Sequence, residues 1–260
     1  MEIKNRNALI TGGNRGIGLA LAKEFAKRQA HLHIAVRKPA EFANQEELLQ
    51  LGAKSVHTYL LDVGQPSSIE TFAKDFLSKS TPDIVVNNSG QLTGGLLETQ
   101  SPEAIREMLN VNLIGLILLT RALLPTMLKN KRGVIVNNAS VSGRMTLPCA
   151  STYAASKAGV VAFTQALQLE LKDSGVNTLL MITPGVQTRM YEEIPKLYGK
   201  NFDLDFLSGI PDYVWAERVC NALEAGKHVV NPTGMNKVGL VLNQHLPSVF
   251  NWYVGKKFHR

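Results

Sequence analysis

The sequence predicts an α/β fold in one domain, a doubly wound parallel sheet of about seven strands with helices on both faces. Short apolar runs typical of buried strands alternate with longer two-faced segments typical of helices. The chain has 260 residues, a length that one such domain commonly fills. It is 45% hydrophobic and 19% charged, so it carries enough apolar side chains for a large core.

The predicted elements follow one another in regular order. Strands are predicted near residues 7–11, 32–36, 55–60, 83–87, 133–139, 176–182 and 227–230. Helices are predicted near residues 16–29, 44–51, 67–78, 102–129, 152–174 and 212–225. The strands at 32–36 and 134–136 are mostly apolar, so we expect them to be buried on both faces of the sheet. Such sheets bind ligands beyond the carboxyl ends of their strands, so we expect the site there.

A glycine-rich turn joins the first strand to the first helix, with the sequence Thr11-Gly-Gly-Asn-Arg-Gly-Ile-Gly18. Glycines allow a tight turn and close backbone approach, and a helix N-terminus offers free N–H groups to a pyrophosphate. The spacing differs from the usual G-x-G-x-x-G fingerprint, and such a turn by itself is also compatible with ordinary loop chemistry. Between a strand and a helix, it predicts the dinucleotide site of a Rossmann-type fold.

The helix predicted at 152–174 carries a tyrosine and a lysine four residues apart, Tyr153 and Lys157. They share one face of the helix, one turn apart. An ammonium beside a phenol favours the phenolate, so we expect Lys157 to lower the pKa of Tyr153. The hydroxyl of Ser140 can hydrogen-bond a substrate oxygen on which charge develops. These groups are suited to pass a proton to or from a carbonyl or alcohol oxygen, although the Tyr–Lys spacing alone also fits a solvated helix face.

Several motifs, in order along the chain, resemble those of the short-chain dehydrogenase/reductase family. Ser140 precedes Tyr153 by 13 residues, which is the family spacing. The resemblance extends from Ile3 to about Pro232 and implies the fold and the carbonyl–alcohol chemistry of that family. Ser89 replaces the usual alanine, and the end of the fifth strand is more polar than usual. The other matching segments are the glycine turn, Asp62-Val63, Asn87-Asn-Ser-Gly90, Asn112 and Pro184-Gly-Val-Gln-Thr188.

The resemblance implies a role for each matched residue. Tyr153 is the general acid or base, Ser140 polarises the carbonyl, and Lys157 lowers the pKa of Tyr153 and holds the nicotinamide ribose. Asn112 matches the asparagine that positions Lys157 through a water. The predicted catalytic set is therefore Asn112, Ser140, Tyr153 and Lys157. The predicted cofactor-binding set is Thr11, Gly12, Asn14, Arg15, Gly16, Ile17, Gly18, Arg37, Asp62, Val63, Asn88, Ser89, Gly90, Tyr153, Lys157, Pro184, Gly185, Val186 and Thr188.

Two arginines predict NADP(H) in preference to NAD(H). The second strand of an NAD-binding fold usually ends in an acid that holds the ribose 2′-hydroxyl, whereas a nearby arginine suits a 2′-phosphate. Here Val36 stands at that position and Arg37 follows it, while Arg15 lies at the mouth of the glycine turn. Arginine is suited to bidentate contact with phosphate. The alternative is that Arg37 and Lys38 belong to a solvated loop.

The segment after the Pro-Gly motif leaves the substrate open. The resemblance places a substrate lid at residues 188–211, within a catalytic domain of residues 1–235. An apolar carbonyl substrate, such as a 3-oxoacyl thioester or a steroid, would suit this lid, and so would packing onto the body or a neighbouring subunit. The apolar lid residues are Met190, Tyr191, Ile194, Leu197, Tyr198, Phe202, Leu204, Phe206 and Leu207.

Residues 236–260 form an apolar and basic C-terminal extension that ends in Lys256, Lys257 and Arg260. Apolar residues with aromatics and terminal basic groups suit an amphipathic segment at a membrane surface. Subunit packing explains the same residues and is slightly favoured at this stage.

Charge and composition bound the remaining function classes. The net charge of +7 favours anionic partners, but the basic residues are dispersed, so we expect no nucleic-acid binding. Six scattered histidines predict no metal site. Two cysteines favour a reduced, cytoplasmic setting, and we expect no apolar stretch to approach the ~20 residues of a membrane span.

Two further expectations concern assembly and activity. The long helices at about 102–129 and 152–174 resemble those that form dimer interfaces in the family, so we expect a homodimer or homotetramer. Because a fold does not imply activity, a nucleotide-sensing protein without catalysis is the competing function class.

Overall fold

A computed structural model of the chain describes residues 1–204 and 209–260, and its centre is a parallel sheet of seven strands. The strand order is β3-β2-β1-β4-β5-β6-β7, so the order reverses between β1 and β4, where doubly wound sheets bind their ligands. The predicted fold class is confirmed. The strands are Asn7–Thr11 (β1), His31–Val36 (β2), Ser55–Leu60 (β3), Ile84–Asn87 (β4), Gly133–Asn138 (β5), Val176–Met181 (β6) and Val229–Val230 (β7).

Helices cover both faces of the sheet and bury its apolar side chains. The helices are Gly16–Lys27 (α1), Gln45–Gln50 (α2), Pro66–Lys79 (α3), Pro102–Leu109 (α4), Gly115–Lys129 (α5), Ser151–Glu170 (α6), Arg189–Glu192 (α7), Ile194–Tyr198 (α8), Asp212–Glu224 (α9), Gly234–His245 (α10) and Pro247–Gly255 (α11). On one face, Phe25 of α1 and Trp215 of α9 pack with Ile34 of β2. On the other face, Phe76 of α3 and Leu123 of α5 lie in a second cluster.

The predicted helix at 152–174 ends earlier, at Glu170. Asp173 and Gly175 both take left-handed backbone conformations, with φ of +61° and +83°. A Cβ at Gly175 would lie 2.1 Å from the carbonyl oxygen of Lys131, so the chain turns closely against the end of α5 before it enters β6. Such a left-handed turn ends the helix and aims the chain back into the sheet.

The predicted helix at 102–129 is present but is interrupted by a π-helical turn at Asn110–Ile114. Asn112 lies within this turn. Turns of this type are rare and occur often at functional sites. The π-helical turn therefore places Asn112 in a backbone conformation that the helical periodicity of the sequence does not predict.

The same run of residues corrects the expectation about membrane spans. By length and composition Pro102–Lys129 is apolar enough to cross a membrane, and an 18-residue window within it has a mean hydropathy of 1.8. Leu119, Leu123 and Met127, however, are buried in the core against the sheet. Part of the run is therefore core of this fold, and 39% of its most apolar window is buried.

The lid and the C-terminal extension pack against each other. Tyr198 and Phe202 of the lid are buried in one cluster with Phe250 and Val254 of α11. Phe202 also forms an isolated antiparallel bridge with Phe258. The sequence did not predict α7, α8, α10 or α11. Residues 205–208 of the predicted lid, which include Phe206 and Leu207, lie outside the described part of the chain.

Candidate active site

The carboxyl ends of β1 and β4 are joined by the side chain of Thr11. Its buried hydroxyl oxygen accepts hydrogen bonds from the backbone N–H groups of Asn88 and Ser89, both at 3.0 Å. The Asn88 amide donates to the carbonyl oxygen of Thr11 at 3.0 Å. These bonds fix the start of the glycine turn against the segment that follows β4. Thr11 and Asn88 are thus brought to the predicted crevice, where their side chains hold the backbone.

Asn138, at the end of β5, extends this network to Lys157. Its amide donates to Asn88 Oδ1 at 3.1 Å, and its own Oδ1 accepts from the Thr183 hydroxyl at 2.6 Å. Its backbone carbonyl oxygen accepts a hydrogen bond from Lys157 Nζ at 2.8 Å. Sequence reasoning noted the polarity of this strand end but assigned Asn138 no role. The hydrogen bonds of Asn138 thus connect the segments after β4 and β6 to the end of β5, which binds Lys157.

Ser140 is positioned by a single 3₁₀ turn, Val141–Gly143, which packs on α6. The Ser140 hydroxyl oxygen accepts from the backbone N–H of Ser142 at 3.1 Å. A Cβ at Gly143 would lie 2.7 Å from the carbonyl oxygen of Lys157, so the turn and the helix are in close backbone contact. This contact brings Ser140 to Tyr153, with which its side chain makes a hydrogen bond.

The pKa values of Tyr153 and Lys157 correct the expectation from the sequence. Burial raises the pKa of Tyr153 to about 12, and the hydrogen bond with Ser140 acts in the opposite direction. Burial also lowers the pKa of Lys157 to about 8. The Lys157 Nζ lies 5.8 Å from the centroid of the Tyr153 ring. Desolvation, which disfavours both charged forms, is the largest cause of both shifts in pKa. At neutral pH Tyr153 holds its proton.

Asn112 lies beside Lys157 and is fixed by the segment after β4. Its amide donates to the carbonyl oxygen of Gln91 at 2.9 Å, and its Oδ1 accepts from the Gln91 N–H at 2.7 Å. A Cβ at Gly90 would lie 3.3 Å from Asn112 Oδ1 and 3.8 Å from Lys157 Nζ, so Gly90 separates the two side chains. The structure thus brings all four predicted catalytic residues together.

The glycine turn forms a cradle at the N-terminus of α1. Gly12 and Gly16 have left-handed backbones, with φ of +65° and +51°. A Cβ at Gly18 would lie 2.3 Å from the carbonyl oxygen of Gly12, so no side chain fits there. The N-cap residue Arg15 makes no side-chain capping bond, and the first turn carries no acidic residue. The first N–H groups of α1 are therefore available for a pyrophosphate, which fits the dinucleotide predicted from the sequence.

The rim of the cradle is basic. Arg37 directly follows β2, and the backbone N–H of Gly12 donates to the carbonyl oxygen of Ala35 at 2.9 Å, so Arg37 leaves the sheet beside the glycine turn. Arg15 and Arg37 are exposed. Within residues 1–204 and 209–260, neither guanidinium makes an ion pair with a carboxylate. Lys38, in contrast, pairs with Glu41 at 2.8 Å.

The remaining predicted cofactor residues lie around the same crevice. Asp62 Oδ1 accepts from the N–H of Gly64 at 3.0 Å, which fixes the turn after β3. A Cβ at Gly16 would lie 3.2 Å from Cγ2 of Thr188, so the segment after β6 closes over the glycine turn. Val63, Pro184 and Val186 are buried, Ile17 and Gly185 are partly buried, and Asn14 is exposed.

The lid supplies one further aromatic hydroxyl. Tyr198 is buried, and its hydroxyl donates to the carbonyl oxygen of Thr93 at 3.5 Å. Its pKa is raised by burial and also by the neighbouring Tyr153 and Cys149. Sequence reasoning placed Tyr198 in the apolar lid but gave it no role. The effect of Tyr153 on this pKa indicates that the described part of the lid lies near Tyr153.

Comparisons with known proteins agree with this geometry. The family model for short chain dehydrogenases matches residues 6–198. The 3-oxoacyl-(acyl-carrier-protein) reductase FabG of Chlamydia trachomatis serovar D is 31% identical over 209 residues, which are 80% of this chain and 83% of that protein. An actinorhodin polyketide ketoreductase solved with NADPH has a TM-score of 0.78 at 26% identity, over 86% of this chain and 94% of its own. A short-chain dehydrogenase/reductase from Burkholderia phymatum solved with NAD has a TM-score of 0.82 at 22% identity, over 96% of each chain, and shows the fold alone.

Proposed function

The chain belongs to the short-chain dehydrogenase/reductase family and is an oxidoreductase of that family, and from this premise we propose that it reduces a ketone or aldehyde to an alcohol with NADP(H). The observation that carries the proposal is the meeting of Tyr153, Lys157 and Ser140 beside the glycine cradle. A Tyr–Lys pair spaced by chance would lie on a solvated helix face, whereas Lys157 is buried and bonded to the end of β5.

The side chains divide the proton chemistry among them. The cofactor, when bound, supplies the hydride to the carbonyl carbon. Tyr153 donates a proton to the carbonyl oxygen, because its raised pKa keeps the phenol protonated at neutral pH. Ser140 donates a hydrogen bond to the same oxygen as negative charge develops on it. Lys157, held on the carbonyl oxygen of Asn138, places a positive charge near the phenolate that the reaction leaves behind.

NADP(H) is the proposed cofactor because of the basic rim. Arg15 and Arg37 are exposed beside the cradle, and no acid follows β2. A 2′-phosphate would receive charge-assisted hydrogen bonds from either guanidinium. Known relatives and neighbours were solved with either NADPH or NAD. The preference is therefore proposed from the residues of this chain.

A 3-oxoacyl thioester is the proposed substrate class, because the FabG relative is a 3-oxoacyl-(acyl-carrier-protein) reductase. The apolar lid and the buried Tyr198 also suit other apolar ketones, including steroids. The competing proposal is a nucleotide-sensing protein without catalysis. The joint presence of Asn112, Ser140, Tyr153 and Lys157 in one cluster opposes it.

We also propose a homodimer or homotetramer in a reduced, cytoplasmic setting. Ile114, in the π-helical turn between α4 and α5, is 44% exposed, which is consistent with a subunit contact on this face. Cys149 and Cys220 are both free and buried. Mass measurement by light scattering would test the assembly.

The test of function is a cofactor-oxidation screen with both NADPH and NADH. Ketones, aldehydes, 3-oxoacyl thioesters and steroids are supplied in turn, and the loss of reduced cofactor is followed by absorbance. Turnover of at least one carbonyl class with NADPH supports the proposal. Binding of NADPH, measured by fluorescence, without turnover of any class would favour the nucleotide-sensing alternative.

A further inference from the structure

Helices α10 and α11 expose an apolar surface. Among the described residues, seven of the sixteen exposed large apolar side chains lie between residues 235 and 253. On α10, Met235, Val238 and Val241 recur every three residues and are 72%, 55% and 49% exposed. On α11, Val249 and Trp252 are 48% and 61% exposed. We refer to the exposed sides of these two helices as the α10–α11 surface.

The opposite sides of the same helices are packed on the body. A Cβ at Gly239 would lie 2.9 Å from the sulfur of Met145, and Phe250 and Val254 are buried. The amide of Asn243 donates to the carbonyl oxygen of Arg144 at 2.9 Å. Each helix therefore already has a packed apolar side, and the α10–α11 surface is a second one. Its position is fixed by these contacts.

The chemistry of the α10–α11 surface is that of a membrane interface. Val249, Trp252, Tyr253 and Lys256 are spaced at i, i+3, i+4 and i+7, so they share one face of α11. The Nζ of Lys256 lies 3.9 Å from the centroid of the Trp252 ring. Tryptophan and tyrosine are enriched where lipid tails meet water, and lysine can cover apolar groups while its ammonium reaches the headgroups.

The charge of this segment selects an anionic partner. Residues 234–260 contain Lys237, Lys256, Lys257 and Arg260 and no aspartate or glutamate. Lys257 pairs with Asp203 and Arg260 with Glu98, so the charge offered to a partner comes from Lys237 and Lys256. A two-fold interface between copies would place this patch opposite itself, with like charges facing and no acid of the segment to pair with them. Anionic phospholipid headgroups are complementary to it. The charge balance thus favours a lipid surface over the subunit packing that the sequence alone had slightly favoured.

Helix α11 and the residues that follow it pack against the lid. The backbone N–H of Asp203 donates to the carbonyl oxygen of Lys257 at 2.9 Å, and Phe202 bridges Phe258. Phe202 and Tyr198 lie in the same cluster as Phe250 of α11. The lid therefore packs on α11 from the side opposite the α10–α11 surface.

We propose that the α10–α11 surface docks peripherally on an anionic phospholipid membrane. Met235 and Trp252 enter the interface, and Lys237 and Lys256 contact the headgroups. The proposal stands on the exposed apolar side chains and the charge of this segment, and it is independent of the reaction that the crevice catalyses.

The test is co-flotation of the full-length protein with vesicles of two compositions. One is pure phosphatidylcholine, and the other contains one part phosphatidylserine to two parts phosphatidylcholine. We expect recovery with the anionic vesicles, weakened by salt, and little with the neutral ones. Two double variants, Lys237→Glu/Lys256→Glu and Val249→Ser/Trp252→Ser, test this surface. Each should bind the anionic vesicles at least about tenfold more weakly than the wild type does.

Matched controls change the same chemistry elsewhere on the molecule. Lys129→Glu/Lys172→Glu alters the net charge equally at exposed lysines of other elements, and Leu60→Ser/Leu169→Ser removes two exposed leucines. Both controls should bind as the wild type does. Equal recovery of the wild type with neutral and anionic vesicles, or an equal loss in the controls, overturns the proposal. The proposal is also overturned if the wild type does not bind vesicles and Val249→Ser/Trp252→Ser changes the oligomeric mass. That result would identify the surface as a contact between copies of the chain.

Discussion

The catalytic crevice and the α10–α11 surface are built in contrasting ways. In the crevice, side chains such as Thr11 and Asn138 are buried, and each makes several hydrogen bonds to segments far away in the sequence. On the α10–α11 surface, Met235 and Trp252 are largely exposed. In the first region the polar side chains find their hydrogen-bond partners within the chain. In the second region apolar side chains are exposed, and a partner could cover them.

This difference predicts that substitutions in the two regions have separable effects. Groups fixed by buried hydrogen bonds hold a reacting geometry, so their loss changes turnover. Exposed apolar and basic groups change binding to a surface with little effect on the chemistry. Measurement of turnover and vesicle binding on the same variants would show whether the regions act independently.

The largest effect is expected for Tyr153→Phe, which removes only the hydroxyl. Loss of the general acid should lower kcat by about 10²–10⁴-fold. Affinity for NADPH, measured by fluorescence titration, should change little. Recovery on anionic vesicles should not change, because the α10–α11 surface is untouched.

The matched control for this variant is Tyr213→Phe. Tyr213 is 62% exposed on α9 and lies outside the candidate site. It should turn over as the wild type does. Near-normal kcat in Tyr153→Phe would remove the proposed acid–base role, and it would also remove the main contrast between the two regions.

The next largest effect is expected for Arg37→Asp at the rim of the crevice. Loss of a charge-assisted hydrogen bond, about 1.5–3 kcal/mol, together with the added repulsion, should shift the ratio of kcat/KM for NADPH and NADH by about a hundredfold toward NADH. The ratio is obtained from initial rates with each cofactor and one carbonyl substrate.

Lys38→Asp is the control for Arg37→Asp, because it makes the same change of charge one residue later. Lys38 already pairs with Glu41. It should shift the cofactor ratio far less. An equal shift in the two variants would mean that general electrostatics, rather than an Arg37 contact with a 2′-phosphate, determines the preference.

The crevice also shows where sequence reasoning was sufficient and where it was not. The glycine turn and the Tyr153–Lys157 spacing are local, so the covalent order of the chain largely dictates their geometry. Asn138 depends on partners 50 and 45 residues away, Asn88 and Thr183, which only the folded sheet brings together. The pKa of Tyr153 was expected in the wrong direction because burial, which raises it, is a tertiary property.

The C-terminal region was less predictable for a different reason. Apolar residues in α10 occur on both its packed and its exposed sides, so no single-sided helical pattern marks it. The sequence identified the apolar and basic composition of 236–260 correctly. Which apolar residues remain exposed is determined by packing on Met145 and on the lid. The composition of residues 236–260 therefore indicated an interaction surface, and the structure shows which side chains form it.

A smaller effect is expected from pH, and it tests the buried charge in the crevice. Burial lowers the pKa of Lys157 to about 8 and raises that of Tyr153 to about 12. Reduction requires both groups protonated. Below the pKa of Lys157 both groups are protonated, so kcat/KM should not change with pH. As the pH rises through about 8, Lys157 loses its proton, and kcat/KM should fall by up to about tenfold per pH unit. A profile of initial rates checks this, and a fall that begins only near the ordinary lysine value would contradict it.

The smallest effect is expected where the two regions meet. Lys257 Nζ pairs with Asp203 Oδ2 at 2.8 Å, and the two side chains are 21% and 38% exposed. Because the pair is partly solvated, Asp203→Asn should remove about 1 kcal/mol or less of the contact between lid and extension. We expect KM for an apolar carbonyl to rise by up to a few-fold, with kcat unchanged, since Asp203 is not in the catalytic cluster. A matched substitution, Glu193→Gln, breaks the exposed pair with Lys196 on the same lid and should leave KM as it is. A fall in kcat in Asp203→Asn as large as that in Tyr153→Phe would show that the extension controls the chemistry directly, and the two regions would then be one functional unit.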